Sequence, residues 1–175
     1  MDKKELPGSM RFTWAMIGDV DEGRANLGDK MPVAVYRLFQ YTLRATLAEE
    51  YGPDECIRLF RKCGELAGRE FCRNLLDVSL PLGEFVAQLQ QRLKDMQIGI
   101  LRFEQFDETT GRAVLTVGED LDCSGLPVTG ETVCNYDEGF IAGILGEYTK
   151  TQYVAIEVSC WAKGDRVCRF EAEKV

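Results

Sequence analysis

Apolar side chains recur at helical spacing in three stretches of the first half of the chain, and they predict three amphipathic helices. The first stretch runs from Pro32, a residue favoured at helix starts, to the stop signal Gly52-Pro53. The second covers about residues 54–76, and the third about residues 82–96. The three apolar faces are interpreted as parts of one shared core.

From Ile98 onwards the apolar spacing changes from helical to strand-like. Two hairpins are predicted, the first from residues 98–106 and 112–117 and the second from residues 153–161 and 166–173. A glycine-rich helix over about residues 136–148 separates them, with Asn135 and Glu138 as a predicted capping box. Gly139 and Gly143 lie one turn apart on this helix, so we expect that face to approach a neighbouring element closely.

This order of elements predicts an α+β fold. The N-terminal helices are expected to pack on an antiparallel sheet built from the two hairpins. Residues 12–17 are compatible with a further short strand. We predict a polar tail over residues 1–9 and a single domain over residues 10–175.

The composition of the 175-residue chain is that of a globular protein, with 45% hydrophobic and 29% charged residues. Its net charge of −8, with basic and acidic residues interspersed, argues against nucleic acid or an anionic membrane as the main partner. No stretch reaches the roughly 18 apolar residues of a membrane span, and the N-terminus lacks the apolar run of a signal peptide. The expected location is the cytoplasm.

Seven cysteines and no histidine direct attention to sulfur chemistry. Disulfides rarely persist in the cytoplasm, so metal binding is the sharper hypothesis, and any metal site must use sulfur and oxygen. Cys56 and Cys63 are interpreted as small buried hydrophobic residues on the second helix. Cys72 is left open as core or surface.

The last hairpin predicts a metal site, because a three-residue turn makes Cys160 and Cys168 cross-strand neighbours. Glu157 joins the same face only if a bulge near residues 158–159 shifts the strand. Cys134 precedes the glycine-rich helix, whose dipole favours a thiolate there. Three thiolates and one carboxylate suit a closed, structural zinc site better than calcium or magnesium.

Three alternatives to this site remain open at the level of spacing. Cys160 and Cys168 are also compatible with a disulfide or with a plain pair of small packed residues. Glu157 is compatible with an ordinary solvated strand carboxylate. Cys123 is interpreted as an ordinary loop cysteine, with an extra thiol near the metal as the alternative.

Three segments together resemble the 4-vinyl reductase (4VR) domain family, most densely over residues 111–173. They are Gly125-Leu-Pro127, Val133-Cys-Asn-Tyr-Asp-Glu-Gly-Phe-Ile-Ala-Gly143 and Glu157-Val-Ser-Cys160-Trp-Ala-Lys-Gly164-Asp-Arg-Val-Cys168-Arg-Phe170. The resemblance implies a small-molecule-binding domain, commonly dimeric, with an apolar pocket and a fold shared with TRAPP subunits. It also implies structural zinc held by residues that match Cys134, Glu157, Cys160 and Cys168. Phenol-sensing members use a histidine that this chain lacks, so phenol recognition of that kind is not expected.

The leading hypothesis is a cytoplasmic sensor or binding protein that encloses a small apolar or aromatic molecule such as a hydrocarbon. Catalysis is not favoured, because the sequence contains no recognisable catalytic motif. The residues predicted to line its pocket are Phe85, Leu89, Phe103, Leu115 and Tyr153. One alternative is a tetrapyrrole vinyl reductase or its accessory protein, and another is a scaffold or lipid-binding protein like the tethering subunits. A homodimer is expected in each case.

Overall fold

A four-stranded antiparallel sheet with helices packed against it forms residues 33–175 in the computed structural model, which describes residues 11–175. The helices are α1 (Val20–Gly23), α2 (Val33–Tyr51), α3 (Pro53–Leu75), α4 (Leu82–Asp95) and α5 (Asn135–Thr149). The strands are β1 (Ile100–Phe106), β2 (Ala113–Gly118), β3 (Tyr153–Ser159) and β4 (Cys168–Lys174). The predicted α+β class and the predicted order of elements are confirmed.

Residues 11–32 belong to a separate compact unit with little regular structure. Trp14–Ile17 is a short 3₁₀ helix, so the strand predicted over residues 12–17 is wrong. A short apolar run does not distinguish the two structures, and here the turn closes locally, with Met16 N–H donating to the carbonyl of Thr13 at 2.9 Å. The predicted polar tail, residues 1–9, lies outside the described residues.

The sheet joins the two predicted hairpins through their second strands, in the order β1-β2-β4-β3. Leu115 of β2 and Glu157 of β3 both pair with Phe170 of β4. The register of β3 shifts between Glu157 and Ser159, which confirms the predicted bulge. This shift turns Glu157 towards the buried face, where its exposed fraction is 4%.

Helices α3 and α5 pack on each other through glycine. Gly64 and Gly68 of α3 face the backbone of α5, and Gly139 and Gly143 of α5 face the backbone of α3. A methyl group at any of these four positions would meet backbone atoms closer than real Cβ contacts occur. The close approach predicted for Gly139 and Gly143 is therefore confirmed.

The remaining helices complete the layers, with α4 against β1, α5 against β3 and α2 against α3. Cys56 and Cys72 of α3 are buried, whereas Cys63 is exposed, so its predicted burial is wrong. Its position on the edge of the apolar stripe of α3 explains the difference. None of the helices within residues 11–175 combines the length and the apolar character needed to cross a bilayer.

Candidate functional site

Four cysteines from four separate segments meet in the interior. Cys123 lies in the loop after β2, Cys134 directly before α5, Cys160 directly after β3, and Cys168 at the start of β4. Their sulfur atoms all lie within 4.8 Å of one another, and all four side chains are buried. Three of these residues were predicted as ligands. Cys123, interpreted as an ordinary loop cysteine, joins them, in agreement with the alternative of an extra thiol.

The distances between the sulfur atoms suit a tetrahedral metal. Cys134 Sγ lies 3.9 Å from Cys160 Sγ and 3.8 Å from Cys168 Sγ, while Cys123 Sγ lies 3.1 Å from Cys168 Sγ. Tetrahedral zinc with Zn–S bonds of about 2.3 Å separates its sulfur ligands by about 3.8 Å. All seven cysteines are free thiols, so the disulfide alternative does not hold in this structure. The donor set and its spacing fit zinc.

Hydrogen bonding within the cluster decides which sulfur carries charge in the absence of metal. Bonds from Cys123, Cys134 and Cys168 lower the pKa of the Cys160 thiol well below its ordinary value. Bonding to Cys123, Cys160 and Cys168 raises the pKa of Cys134. The favoured thiolate is therefore at Cys160, although the helix dipole suggested Cys134. Metal binding would displace the remaining thiol protons.

Glu157 lies beside this cluster. Its Oε2 accepts the backbone N–H of Cys134 at 3.0 Å, and its Oε1 is buried without a hydrogen-bond partner. Burial raises the pKa of Glu157 to about 8. An unpaired buried carboxyl oxygen is costly unless a proton or a cation satisfies it. Glu157 is thus close enough to support the cluster, and its role as a direct ligand stays a prediction.

A buried carboxylate on α5 links the helix to the hairpin. Glu138 Oε1 accepts the backbone N–H of Glu157 at 2.9 Å, and its Oε2 accepts Arg61 Nε at 2.5 Å and Asn135 Nδ2 at 3.1 Å. The predicted capping box is therefore wrong, because the Asn135 side chain donates to Glu138 and Cys134 is the cap residue. Glu138 instead fixes the strand segment that carries Glu157.

Helix α2 contributes no cysteine but holds the loop that carries Cys123. Tyr36 Oη and Gln40 Nε2 donate to the two carboxyl oxygens of Asp122 at 2.8 and 2.6 Å. Arg37 Nε donates to the carbonyl of Leu121 at 2.8 Å. Sequence reasoning missed this role. The signal was present as polar residues at helical spacing along one face of α2.

The same face of α2 also holds the segment that carries Cys134. Arg44 donates to the carbonyl of Val133 at 2.7 Å and to Asn135 Oδ1 at 2.9 Å. These contacts grip the residues on both sides of Cys134. Two of the four cysteines are therefore positioned by side chains from a helix that is distant in sequence.

An apolar cavity of about 40 Å³ adjoins the cluster, between α4, α5 and the first hairpin. Leu89, Phe103 and Leu115, all predicted to contact a ligand, line it. The other two predicted residues are not among its lining residues: Phe85 stacks on Tyr148 with ring centroids 4.1 Å apart, and Tyr153 is buried on β3. Ligand contact by all five residues stays a prediction.

Two carboxyl groups interrupt the apolar lining, those of Asp120 and Asp137. One oxygen of each lies within 4.8 Å of the other and of Cys134 Sγ. Burial, followed by the charge of Asp122, raises the pKa of Asp120 to about 7 and that of Asp137 well above its ordinary value. Sequence reasoning did not single out either residue, because a lone acidic residue in a loop or a first helical turn is usually solvated.

Comparison with solved structures identifies the fold. A vinyl-4-reductase family protein from Methanocaldococcus jannaschii matches with a TM-score of 0.62 at 19% identity, over 95% of this chain and 99% of that chain. The phenol-responsive sensory domain of the transcription activator PoxR, in complex with phenol, gives 0.59 at 13% identity over 82% and 75%. A trafficking protein particle complex subunit 3 from Naegleria fowleri, covalently bound to palmitic acid, gives 0.65 at 10% identity over 82% and 95%.

The sequence comparison agrees with these structural likenesses. Residues 113–174 match the model of the 4-vinyl reductase (4VR) domain family, which confirms the resemblance noted in the sequence. The match includes Cys134, Cys160 and Cys168 and ends at the last residue of β4. This chain therefore carries a 4VR domain, on a fold that it shares with a vinyl-4-reductase family protein, a phenol-responsive sensory domain and a trafficking-complex subunit.

Proposed function

We propose that this protein binds a small, largely apolar molecule in the cavity between α4, α5 and the first hairpin. The observation that carries the proposal is the cavity itself, whose lining is apolar except for Asp120 and Asp137. Few polar groups in a mostly apolar lining are typical of small-molecule sites. The fold likeness to a sensory domain solved with phenol supports the same role.

The cysteine cluster is proposed to hold one structural zinc ion. Cys134, Cys160 and Cys168 would be three of its ligands, and Cys123 or Glu157 would supply the fourth. Bound zinc supplies a cross-link between four segments, and four protein donors leave no open position for an activated water. Asp120 and Asp137, which lie near Cys134, would connect this cross-link to the wall of the cavity.

Metal analysis tests the zinc proposal directly. Protein purified without added metal should contain about one zinc per chain, and a chelator should release it. Thiols that react in the native protein should number one before chelation, at exposed Cys63, and rise when the cluster is opened. Protein that lacks zinc and shows the same thiol reactivity with and without chelator would argue against the site.

Mass spectrometry tests the binding proposal. Native spectra of the freshly purified protein should show an added mass that disappears under denaturing conditions, or an added mass after exposure to small apolar compounds. Leu115→Trp would fill the cavity and should abolish this binding. Unchanged binding by Leu115→Trp would place the ligand elsewhere.

A second copy of the chain is proposed as the partner, with the protein acting in the cytoplasm. Val35, Leu38 and Phe39 of α2 are 50%, 68% and 67% exposed, an apolar face that association would cover. Seven unpaired cysteines fit a reducing compartment. Light scattering should give twice the chain mass, and Leu38→Asp should reduce it to the mass of a single chain.

A further inference from the structure

The cavity has a polar end made of carboxyl groups. Asp120 lines it with an exposed fraction of only 3%, and one of its oxygens accepts the backbone N–H of Asp122 at 2.7 Å. Asp137 lines it as well, and its Oδ2 is buried without a hydrogen-bond partner. The two groups lie within 4.8 Å of each other. The cavity therefore offers hydrogen-bond acceptors at this end.

The neighbouring Asp122 shows what a structural carboxylate looks like in the same region. Both of its oxygens accept hydrogen bonds, from Tyr36 and Gln40. Asp120 and Asp137 have no comparable partners, and within residues 11–175 neither forms a salt bridge with a lysine or an arginine. A buried carboxyl pair without a cation is an incomplete arrangement.

We propose that the bound molecule is an apolar amine, whose protonated amino group donates hydrogen bonds to Asp137 Oδ2 and to Asp120 while its hydrocarbon body fills the cavity. This inference rests on the proposed binding function. A cation fits better than a neutral donor, because Glu157 and the sulfur cluster lie nearby. Four thiolates around one divalent zinc would leave that cluster negative.

The size of the cavity narrows the ligand class. About 40 Å³ is free, and a single water needs about 10–15 Å³, so a slender molecule is expected. Leu89 and Leu93 of α4 and Ile141 of α5 lie along the walls and would contact the hydrocarbon body. A short alkylamine or benzylamine has the required shape.

Titration calorimetry on the full, zinc-containing protein tests the inference. The probes are n-alkylamines from ethyl to octyl, the alcohols of the same lengths, and benzylamine with benzyl alcohol. The best amine should bind about tenfold more tightly than its alcohol, the gain typical of hydrogen bonds to charged groups. Asp137→Asn should remove this difference by weakening only the amine, with the zinc content unchanged.

Asp54→Asn is the matched control, because it removes the same charge from an exposed site at the start of α3. It should keep the full preference for amines. Equal binding of amine and alcohol by the unaltered chain would overturn the inference but leave the binding proposal standing. Binding of none of the probes would overturn both. Loss of the preference in Asp54→Asn as well as in Asp137→Asn would also overturn the inference, because a general charge effect would then explain it.

Discussion

At the scale of single residues, two side chains compete for the fourth position of the cysteine cluster. Cys123 Sγ lies 3.1 Å from Cys168 Sγ and belongs to the group of four sulfurs. Glu157 has an unpaired buried oxygen, and its other oxygen already accepts the backbone N–H of Cys134. The sulfur arrangement favours Cys123 as the ligand, with Glu157 orienting Cys134 from outside.

X-ray absorption at the zinc edge should distinguish the two arrangements. We expect four sulfur neighbours in the unaltered protein, and three sulfurs with one lighter atom in Cys123→Ser. Glu157→Gln should keep four sulfurs while weakening zinc binding by about 10–100-fold, as is usual when a supporting partner of a ligand is lost. Three sulfurs and one oxygen in the unaltered protein, with the oxygen lost in Glu157→Gln, would establish Glu157 as the ligand instead.

Tyr36 gives the protein a predictable response to alkaline pH. Burial, and then the charge of Asp122, raise the pKa of Tyr36 above its ordinary value of 10.0. A pKa raised by folding contributes stability that is complete below the unfolded value and is lost as the pH rises above it. The unfolding free energy should therefore fall above pH 10, by about 1.4 kcal/mol per pH unit for this tyrosine.

Urea unfolding at pH 8, 10 and 11 measures this slope. Tyr36→Phe should show a smaller fall above pH 10 than the unaltered protein. It should also be less stable at pH 8 by about 1–3 kcal/mol, because one oxygen of Asp122 loses its donor. Tyr51→Phe, at an exposed position at the end of α2, is the control and should follow the unaltered protein. Equal slopes in all three proteins would contradict the prediction.

At the scale of elements, the packing of α3 on α5 depends on glycine. A methyl group at Gly139 would lie 2.7 Å from the backbone nitrogen of Glu65 and still closer to the carbonyl oxygen of Arg61. Neither backbone atom can move without shifting α3 as a whole. Gly139→Ala should therefore lower the unfolding free energy by about 3 kcal/mol or more, the upper range for overpacked cores.

Gly83→Ala is the matched control for this prediction. Gly83 also lies in a helix, α4, but a methyl group there meets nothing within 4 Å. Because alanine favours helix more than glycine does, this variant should be more stable by about 0.5–1 kcal/mol. Thermal unfolding of both variants decides the question. Similar melting temperatures would show that α3 and α5 can separate at little cost.

The elements themselves could be predicted from the sequence, because each depends on local periodicity. The helices, both hairpins and the bulge after Glu157 follow from spacing alone. The support from α2 could not be predicted in this way. Tyr36 and Arg44 reach segments more than 80 residues away, and no local pattern says which loop they will contact. The same limit hid Asp120 and Asp137, whose significance depends on the cavity that other elements create.

At the scale of the whole molecule, the cysteine cluster connects parts of the chain that the apolar core alone would not fix. Cys123 and Cys134 lie in a long connection between β2 and α5 that contains no regular strand or helix. The core of α3, α4, α5 and the sheet is formed by other residues, such as Phe71, Leu89 and Phe170. Metal and core therefore stabilise different regions, and removing the metal should reveal the division.

Hydrogen exchange before and after chelation measures that division. Exchange should quicken over residues 119–134 and 160–168, while the backbone of α3 and α5 stays protected, because their contact does not involve the cluster. The melting temperature of the chelated protein should fall and recover in proportion to added zinc, as expected for a ligand that binds only the folded chain. Cys63→Ser, which alters an exposed thiol outside the cluster, should behave in the same way as the unaltered protein. Cys168→Ser should resemble the chelated protein and should not recover with zinc. Uniform loss of protection along the whole chain would mean instead that the metal supports the core itself, and unchanged exchange would mean that the four cysteines hold no structural ion.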